Sequence, residues 1–454
     1  MKKQLQIFFD FLRFCIGSTK EIPDSSKEAD WKELYAIAKK QCLVGILFDG
    51  IKKLPAEYVG MKKELLLQWM AESQMLEKAN VRLNDAAIQV SEWFRKKGFR
   101  TCILKGQGNA LLYPNPYSRT PGDIDIWVEG GDKRVISFVR SISPHEKACY
   151  HHIEFPSYKG VEVEVHYRPS FLLCFWHNRK LQKYYERVKE EQFSHRVMLK
   201  EQGEIAIPTV GFNLIFQLTH IFSHLMNEGI GLRQLLDYYY VLCDFYKVYQ
   251  ISSNPSVSLS KGSSTFSPSP SSSGSGDVTA PSRCSEPLRS KDGGPSKVSP
   301  NCAGWDRRDA IGDMTSATAS TSTDTSATAA RSSFAANSSA AIDRVQKELK
   351  ELGLWKFAGG IMYIMQEVFG MPASRLIVPP NEKYGRFVLN EVLEAGNFGR
   401  HDARNRFGRS KLGHNLQRVY RDIRLVRYFP AEALCEPLFR TWHFFWRLKY
   451  KIIK

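Results

Sequence analysis

Apolar residues recur every three or four positions over residues 4–16, 31–53 and 62–97, as in Leu65, Leu66, Trp69, Met70, Met75 and Leu76. This spacing predicts helices that each bury one stripe, with Pro23-Asp24-Ser25-Ser26 and Leu54-Pro55 as breaks. From residue 98 the period changes. Strands are expected at Phe99–Leu104, Ile124–Val128, Cys149–Phe155 and Val161–Tyr167, with a short helix at Asn109–Tyr113 and a longer one at Asp132–Ile142, capped by Asp132. Turns fall at Pro114-Asn115-Pro116 and Pro156–Gly160. A helical period returns over 177–250 and again over Val345–Phe369 and Tyr384–Glu394. Between them, 34 of the 89 residues from 252 to 340 are Ser or Thr, with few aliphatics and no period. Such a segment buries too little apolar surface to offset its chain entropy, so a disordered insertion is expected there.

The expected organisation is an N-terminal helical region over 1–97, a mixed α/β unit over 98–175, a helical domain over 176–251 that resumes over 341–454, and the insertion over 252–340 between its parts. At 454 residues the chain can hold two or three domains. Its 64 Lys+Arg against 47 Asp+Glu leave a formal charge of +17, which points to polyanionic partners such as nucleotides, RNA or an anionic membrane surface. The nine cysteines have no CxxC pairing and read as reduced thiols of a cytoplasmic protein. Met1-Lys2-Lys3 precedes an apolar run, but Asp10 and Arg13 interrupt it and no small-residue cleavage site follows, so no secretory leader is expected. No uncharged apolar stretch is long enough to predict a transmembrane helix.

The candidate chemistry lies in the mixed region. Ile124, Ile126 and Val128 alternate with Asp123 and Asp125, so a strand puts two carboxylates on one face, roughly 6.5–7 Å apart along the chain and within reach of a divalent ion. Upstream, a strand ending at Leu104 gives way to Lys105-Gly106-Gln107-Gly108 and then to Asn109-Ala110-Leu111-Leu112, a strand, glycine turn and helix start that suits phosphate. Downstream, Val161-Glu162-Val163-Glu164-Val165-His166-Tyr167 sets Glu162, Glu164 and His166 on the face opposite three valines.

The order Leu104-Lys105-Gly106, then Arg119 with Asp123-Ile124-Asp125, then Val163-Glu164-Val165-His166-Tyr167 resembles the polymerase-β-type nucleotidyltransferase superfamily. It is most similar to an uncharacterised bacterial branch of standalone nucleotidyltransferase proteins. The resemblance implies an α+β fold in which a small mixed-sheet nucleotidyltransferase domain is flanked by N- and C-terminal helical regions. It implies that Gly106 and Gly108 belong to a phosphate-cradling turn, Asp123 and Asp125 to a metal pair, and Glu164 to the third acidic position. The implied activity moves NMP from an NTP such as ATP to a hydroxyl acceptor with Mg²⁺ or Mn²⁺.

Several residues carry alternatives. Lys105 and Arg119 are candidates for phosphate contact; a lysine beside a turn can equally be solvated, and Arg119 can be a salt-bridging turn residue. His166 is read as supporting the metal carboxylates. His220 and His224 have the i, i+4 spacing of a zinc pair, but no glutamate follows His220 and no third ligand is evident, so core or nucleotide-contacting histidines are expected instead. Residues 381–454 hold 16 Lys/Arg against 7 Asp/Glu with interleaved aromatics, which suits RNA or a membrane surface, or an ordinary helix with a solvated basic face. The acceptor stays open among small molecule, protein and RNA. The competing functions are a non-catalytic nucleotide- or RNA-binding module and a toxin-like tRNA-modifying nucleotidyltransferase.

Overall fold

The apolar stripes of the N-terminal region fold as α1 (Lys3–Cys15), α2 (Trp31–Gln41), α3 (Val44–Ile51) and α4 (Lys63–Lys96) in the computed structural model, which describes residues 3–199, 202–251, 339–404 and 411–450. Helix α1 buries Ile7, Phe8, Phe9, Phe11 and Leu12. The charges that interrupt its apolar run pair with each other, Arg13 to Asp10 at 3.1 Å. Asp30 caps α2 by accepting from the N–H groups of Lys32 and Glu33. Helix α4 is about 50 Å long at 1.5 Å per residue and joins two cores. Its first half contributes Trp69, whose indole donates to the Val44 carbonyl at 2.9 Å. Its second half lays Leu83, Ala86, Ala87, Val90 and Phe94 under a sheet.

That sheet contains β1 (Thr101–Ile103), β2 (Ile124–Val128), β3 (His152–Tyr158) and β4 (Val161–His166) in the order β1-β2-β4-β3. Strand β2 runs antiparallel to β1 and parallel to β4, while β3 and β4 form an antiparallel hairpin. The parallel pair needs a crossover, which α6 (Gly131–Ile142) and β3 supply. Ile124, Ile126, Val128, Val163 and Val165 pack with Val135, Ile136 and Val139 of α6. Trp127 points the other way, onto Phe193 of α7 (Phe175–Ser194) at 4.7 Å and Phe212 of α8 (Val210–Asn227) at 5.9 Å. Strand β2 is therefore buried on both faces.

Three local expectations are corrected. Strand β3 starts at His152 and not at Cys149, because the Cys149 N–H turns back to the His152 carbonyl, and it runs on to Tyr158 through the expected turn. Asp132 does not cap α6: Gly130 holds that position with φ +132°, and Asp132 instead pairs with Arg168 at 3.0 Å. Within the region read as helix, β5 (Arg196–Leu199) and β6 (Gly203–Ala206) form a second antiparallel hairpin, whose Ile205 joins the sheet core.

The remaining helices are a four-residue α5 (Gln107–Ala110), α9 (Leu232–Ile251), α10 over residues 339–351, α11 (Trp355–Glu367), α12 (Glu382–Ala395), α13 (Lys411–Val426) and α14 (Pro430–Lys449). The described residues belong to one compact unit, and the α+β architecture stands. The insertion expected over 252–340 lies outside the described residues, apart from 339–340, which are helical. Among the described residues no helix is long and apolar enough to cross a membrane.

Asp422 on α13 faces Glu436 on α14, and burial together with that neighbour holds its carboxyl at about 7. The folded state thus keeps this proton more tightly than the unfolded chain, whose value is about 3.9. Its contribution to stability is present below about pH 4 and is lost as pH rises toward about 7. Asp422→Asn is expected to raise the melting temperature at about pH 8 and to flatten its fall above about pH 5. Parallel slopes for variant and parent in thermal melts across that range would remove this pair from the pH response.

Candidate active site

Strand parity brings the carboxylates together. Val163 and Val165 enter the sheet core, which sends Glu164 and His166 to the opposite face, and the parallel register sets Asp125 opposite Glu164. Asp123 stands one residue before β2. The preceding loop is held by Asn80 of α4, whose amide donates to the carbonyls of Tyr117 and Arg119 at 2.8 Å each. Carboxylate oxygens of Asp123, Asp125 and Glu164 lie within 4.8 Å of one another. Asp125 is 2% exposed, whereas Glu162 lies exposed near the strand start. This is the floor of a cavity rather than the wet side of a hairpin.

Cations stand among these acids. The Lys105 ammonium lies 3.0 Å from Asp125 Oδ2 and 4.0 Å from Asp123 Oδ1. His166 Nε2 donates to Asp125 Oδ1 at 2.9 Å and lies 3.4 Å from Glu164 Oε2; His152 Nδ1 is 3.2 Å from the same Glu164 oxygen. Burial raises the Asp125 carboxyl, but Lys105 and His166 outweigh it and leave it below its ordinary value. Glu164 is likewise lowered, against burial, by the bond from His166 and the charge of His152. Burial opposes charge on His166, yet its bonds to Asp125 and Glu164 hold it at about 9, so it is an imidazolium at neutral pH in the metal-free site.

The cavity encloses about 610 Å³. Its floor is Lys105, Asp123, Asp125, Glu164 and His166, with His151 and His152 beside them. Helix α8 supplies His220 and His224: burial and then Lys105 push His220 well below its usual value, so its neutral ring accepts from Lys105 at 3.2 Å. Residues Phe398, Arg400, Arg418, Phe439, Arg440 and His443 form a wall contributed by the C-terminal part of the chain. Sequence reasoning missed His151, His152 and these arginines. The arginines sit more than 230 residues from Glu164 in the chain and carry no local motif.

Other expected site residues lie elsewhere. Arg119, a phosphate candidate, is 3% exposed and makes a two-pronged pair with Asp237 of α9 at 2.8 Å per bond, to which Tyr113 adds a bond at 2.7 Å. A guanidinium with a dedicated buried carboxylate faces inward, and Arg119 is absent from the cavity lining. Gly106, at φ +66°, turns the chain directly after Lys105, and a Cβ there would meet the Asp123 carbonyl at 3.8 Å. Gly108 is a packing glycine: a Cβ would stand 2.9 Å from Ile207, away from the carboxylates. In the basic C-terminal region Arg404 is bound to Glu391 and Asp402, and Arg424 to Glu391. Arg406 and Arg409 lie outside the described residues.

Residues 27–247 match the model of a family described as uncharacterised nucleotidyltransferase. No curated protein and no solved structure matches the chain. The matched stretch contains the sheet and all three carboxylates and ends before the segments that carry Arg400, Arg418 and Arg440. Across residues 27–247, just under half of its length, the chain is similar to this nucleotidyltransferase family.

Proposed function

We propose that the protein is a divalent-metal-dependent nucleotidyltransferase that moves NMP from an NTP, ATP included, to a hydroxyl acceptor. The observation that carries this reading is the register of Asp125 against Glu164, which with Asp123 gathers three carboxylates at a cavity floor inside the family-matched stretch. An all-oxygen donor set of this kind fits Mg²⁺ or Mn²⁺, and Asp123, Asp125 and Glu164 are the residues that would hold it. Such an ion, when bound, supplies positive charge against the oxygens of the reacting phosphate.

The chain's own groups account for the rest. Transfer forms a bond from the acceptor oxygen to the α-phosphorus and breaks the bond from that phosphorus to the pyrophosphate oxygen. Glu164, part-exposed at the floor, is available to take the acceptor proton, and His166 keeps it oriented through the 3.4 Å contact. Arg400, Arg418 and Arg440 in the cavity wall suit the triphosphate and the departing pyrophosphate. Phe171, Phe398 and Phe439 offer faces for a base. Lys105, already bonded to Asp125, neutralises the floor until the cation arrives.

The test is to incubate the protein with each NTP radiolabelled at the α-phosphate, with Mg²⁺ or Mn²⁺ and a cell extract. Metal-dependent label in a protein, RNA or small-molecule fraction is the expected result and names the acceptor class. Label in tRNA would select the toxin-like reading. Tight NTP binding with no label in any fraction would leave a pure binding module.

A further inference from the structure

A second cluster of metal-ligating side chains joins the start of α7 to the start of α14, from segments 255 residues apart. Cys174 and His177 are three apart at the N-terminus of α7; Glu432 and Cys435 are three apart on the first turns of α14. Each pair therefore shares one helix face. Glu432 is 4% exposed. One of its oxygens accepts from the backbone N–H groups of Leu173 and Cys174, at 2.6 and 2.8 Å, and the other lies 2.9 Å from His177 Nδ1. The ligating atoms of Cys174, His177 and Glu432 lie within 4.8 Å of one another. The Cys435 thiol neighbours that of Cys174; burial and this neighbour push it up to about 11.

Two further observations separate this cluster from ordinary packing. Among the described residues no lysine or arginine lies within ion-pair distance of Glu432, so thiols, imidazole and carboxylate converge without a lysine or arginine cation. The imidazole is also locked in place: Gly353, at φ +71°, closes over it, and a Cβ there would stand 2.4 Å from His177 Cε1. Tetrahedral ligands at metal bonds of about 2.0–2.3 Å are roughly 3.2–3.8 Å apart, so an ion would draw the Cys174, His177 and Glu432 atoms together from within 4.8 Å and Cys435 would have to swing in beside them.

We propose that Cys174, His177, Glu432 and Cys435 bind a zinc-class divalent metal ion that fastens α14 to the start of α7. Binding releases the two thiol protons to solvent, leaves the imidazole neutral and fills all four positions with protein ligands, as a structural site requires. Helix α14 also carries Glu436, Phe439, Arg440 and His443, so the ion fixes one wall of the active-site cavity without entering it. The cysteines were unremarkable as a sequence pattern because each is paired with a non-cysteine ligand on its own helix.

The test is titration of the reduced, metal-stripped full chain with Co²⁺, read by the near-ultraviolet thiolate-to-metal charge-transfer band, with zinc content measured in the metal-replete chain. One equivalent of zinc and a saturable band are expected, both lost in the Cys174→Ser, Cys435→Ser double variant and both kept in Asp123→Asn and Glu164→Gln. If the double variant does not fold, Cys435→Ser alone at its part-exposed position is expected to weaken Co²⁺ binding and to diminish the thiolate band, because one of two thiolate ligands is gone. A reduced parent chain that gives no band overturns the proposal. So does a band undiminished in the cysteine variants, or a reduced chain that binds no metal but forms a Cys174–Cys435 disulfide in air.

Discussion

NMP transfer by Asp123→Asn or Asp125→Asn is expected to fall by roughly three or more orders of magnitude, the scale on which loss of metal-based charge stabilisation acts. Glu164→Gln is expected to be comparably severe. Glu162→Gln, exposed and outside the cavity, is expected to be mild. Stability should separate the two aspartates. Read from the sequence, clustered carboxylates repel one another, so losing one would leave the metal-free fold intact or firmer. The geometry reverses this for Asp125, which is buried between Lys105 and His166. Asparagine there leaves the buried His166 and the part-buried Lys105 with less compensation, and the variant should melt lower than the parent. Asp123, part-exposed and 4.0 Å from Lys105, should lose little. Transfer rates and metal-free melts of the four variants decide both points. Full transfer in Asp123→Asn and Asp125→Asn would sink the proposed mechanism, and an Asp125→Asn chain as stable as the parent would show that Lys105 does not depend on it.

The second large effect concerns Arg119 and Asp237. Asp237→Asn leaves the Arg119 guanidinium buried without its carboxylate, near Arg233, and sets an amide NH₂ donor against the guanidinium where Oδ2 accepted. A loss of about 3–5 kcal/mol is expected in urea unfolding, the range for removing one member of a buried ion pair. Arg119→Met should cost a similar amount and leave NTP affinity little changed where the chain stays folded. Arg119→Met with Asp237→Leu should cost less than the two single changes summed, because neither charge is then stranded. If Arg119→Met keeps the parent's stability but loses NTP binding, the guanidinium belongs to phosphate after all.

Much of the site was legible because strand parity is a local rule. Alternation in 161–167 sends Glu164 and His166 to the face away from the valines wherever the strand is placed, and the observed β2 has the expected bounds of Ile124–Val128. The same alternation cannot tell Glu162 from Glu164. The choice rests on the register of β4 against β2, which puts Glu164 and not Glu162 opposite Asp125. For Arg119 the sequence left two readings open, and they are separated only by Asp237, 118 positions away.

Side-chain type, period and turn chemistry were thus determined by the sequence itself: which residues are acidic, which face they share, and where the glycine turn follows Lys105. Tertiary structure alone decided that Lys105 lies on the carboxylates, that Arg400, Arg418 and Arg440 wall the cavity, and that Cys174 and Glu432 meet. Periodicity is written in neighbours along the chain. Contacts between distant segments depend instead on how two cores close against each other, which no local spacing encodes.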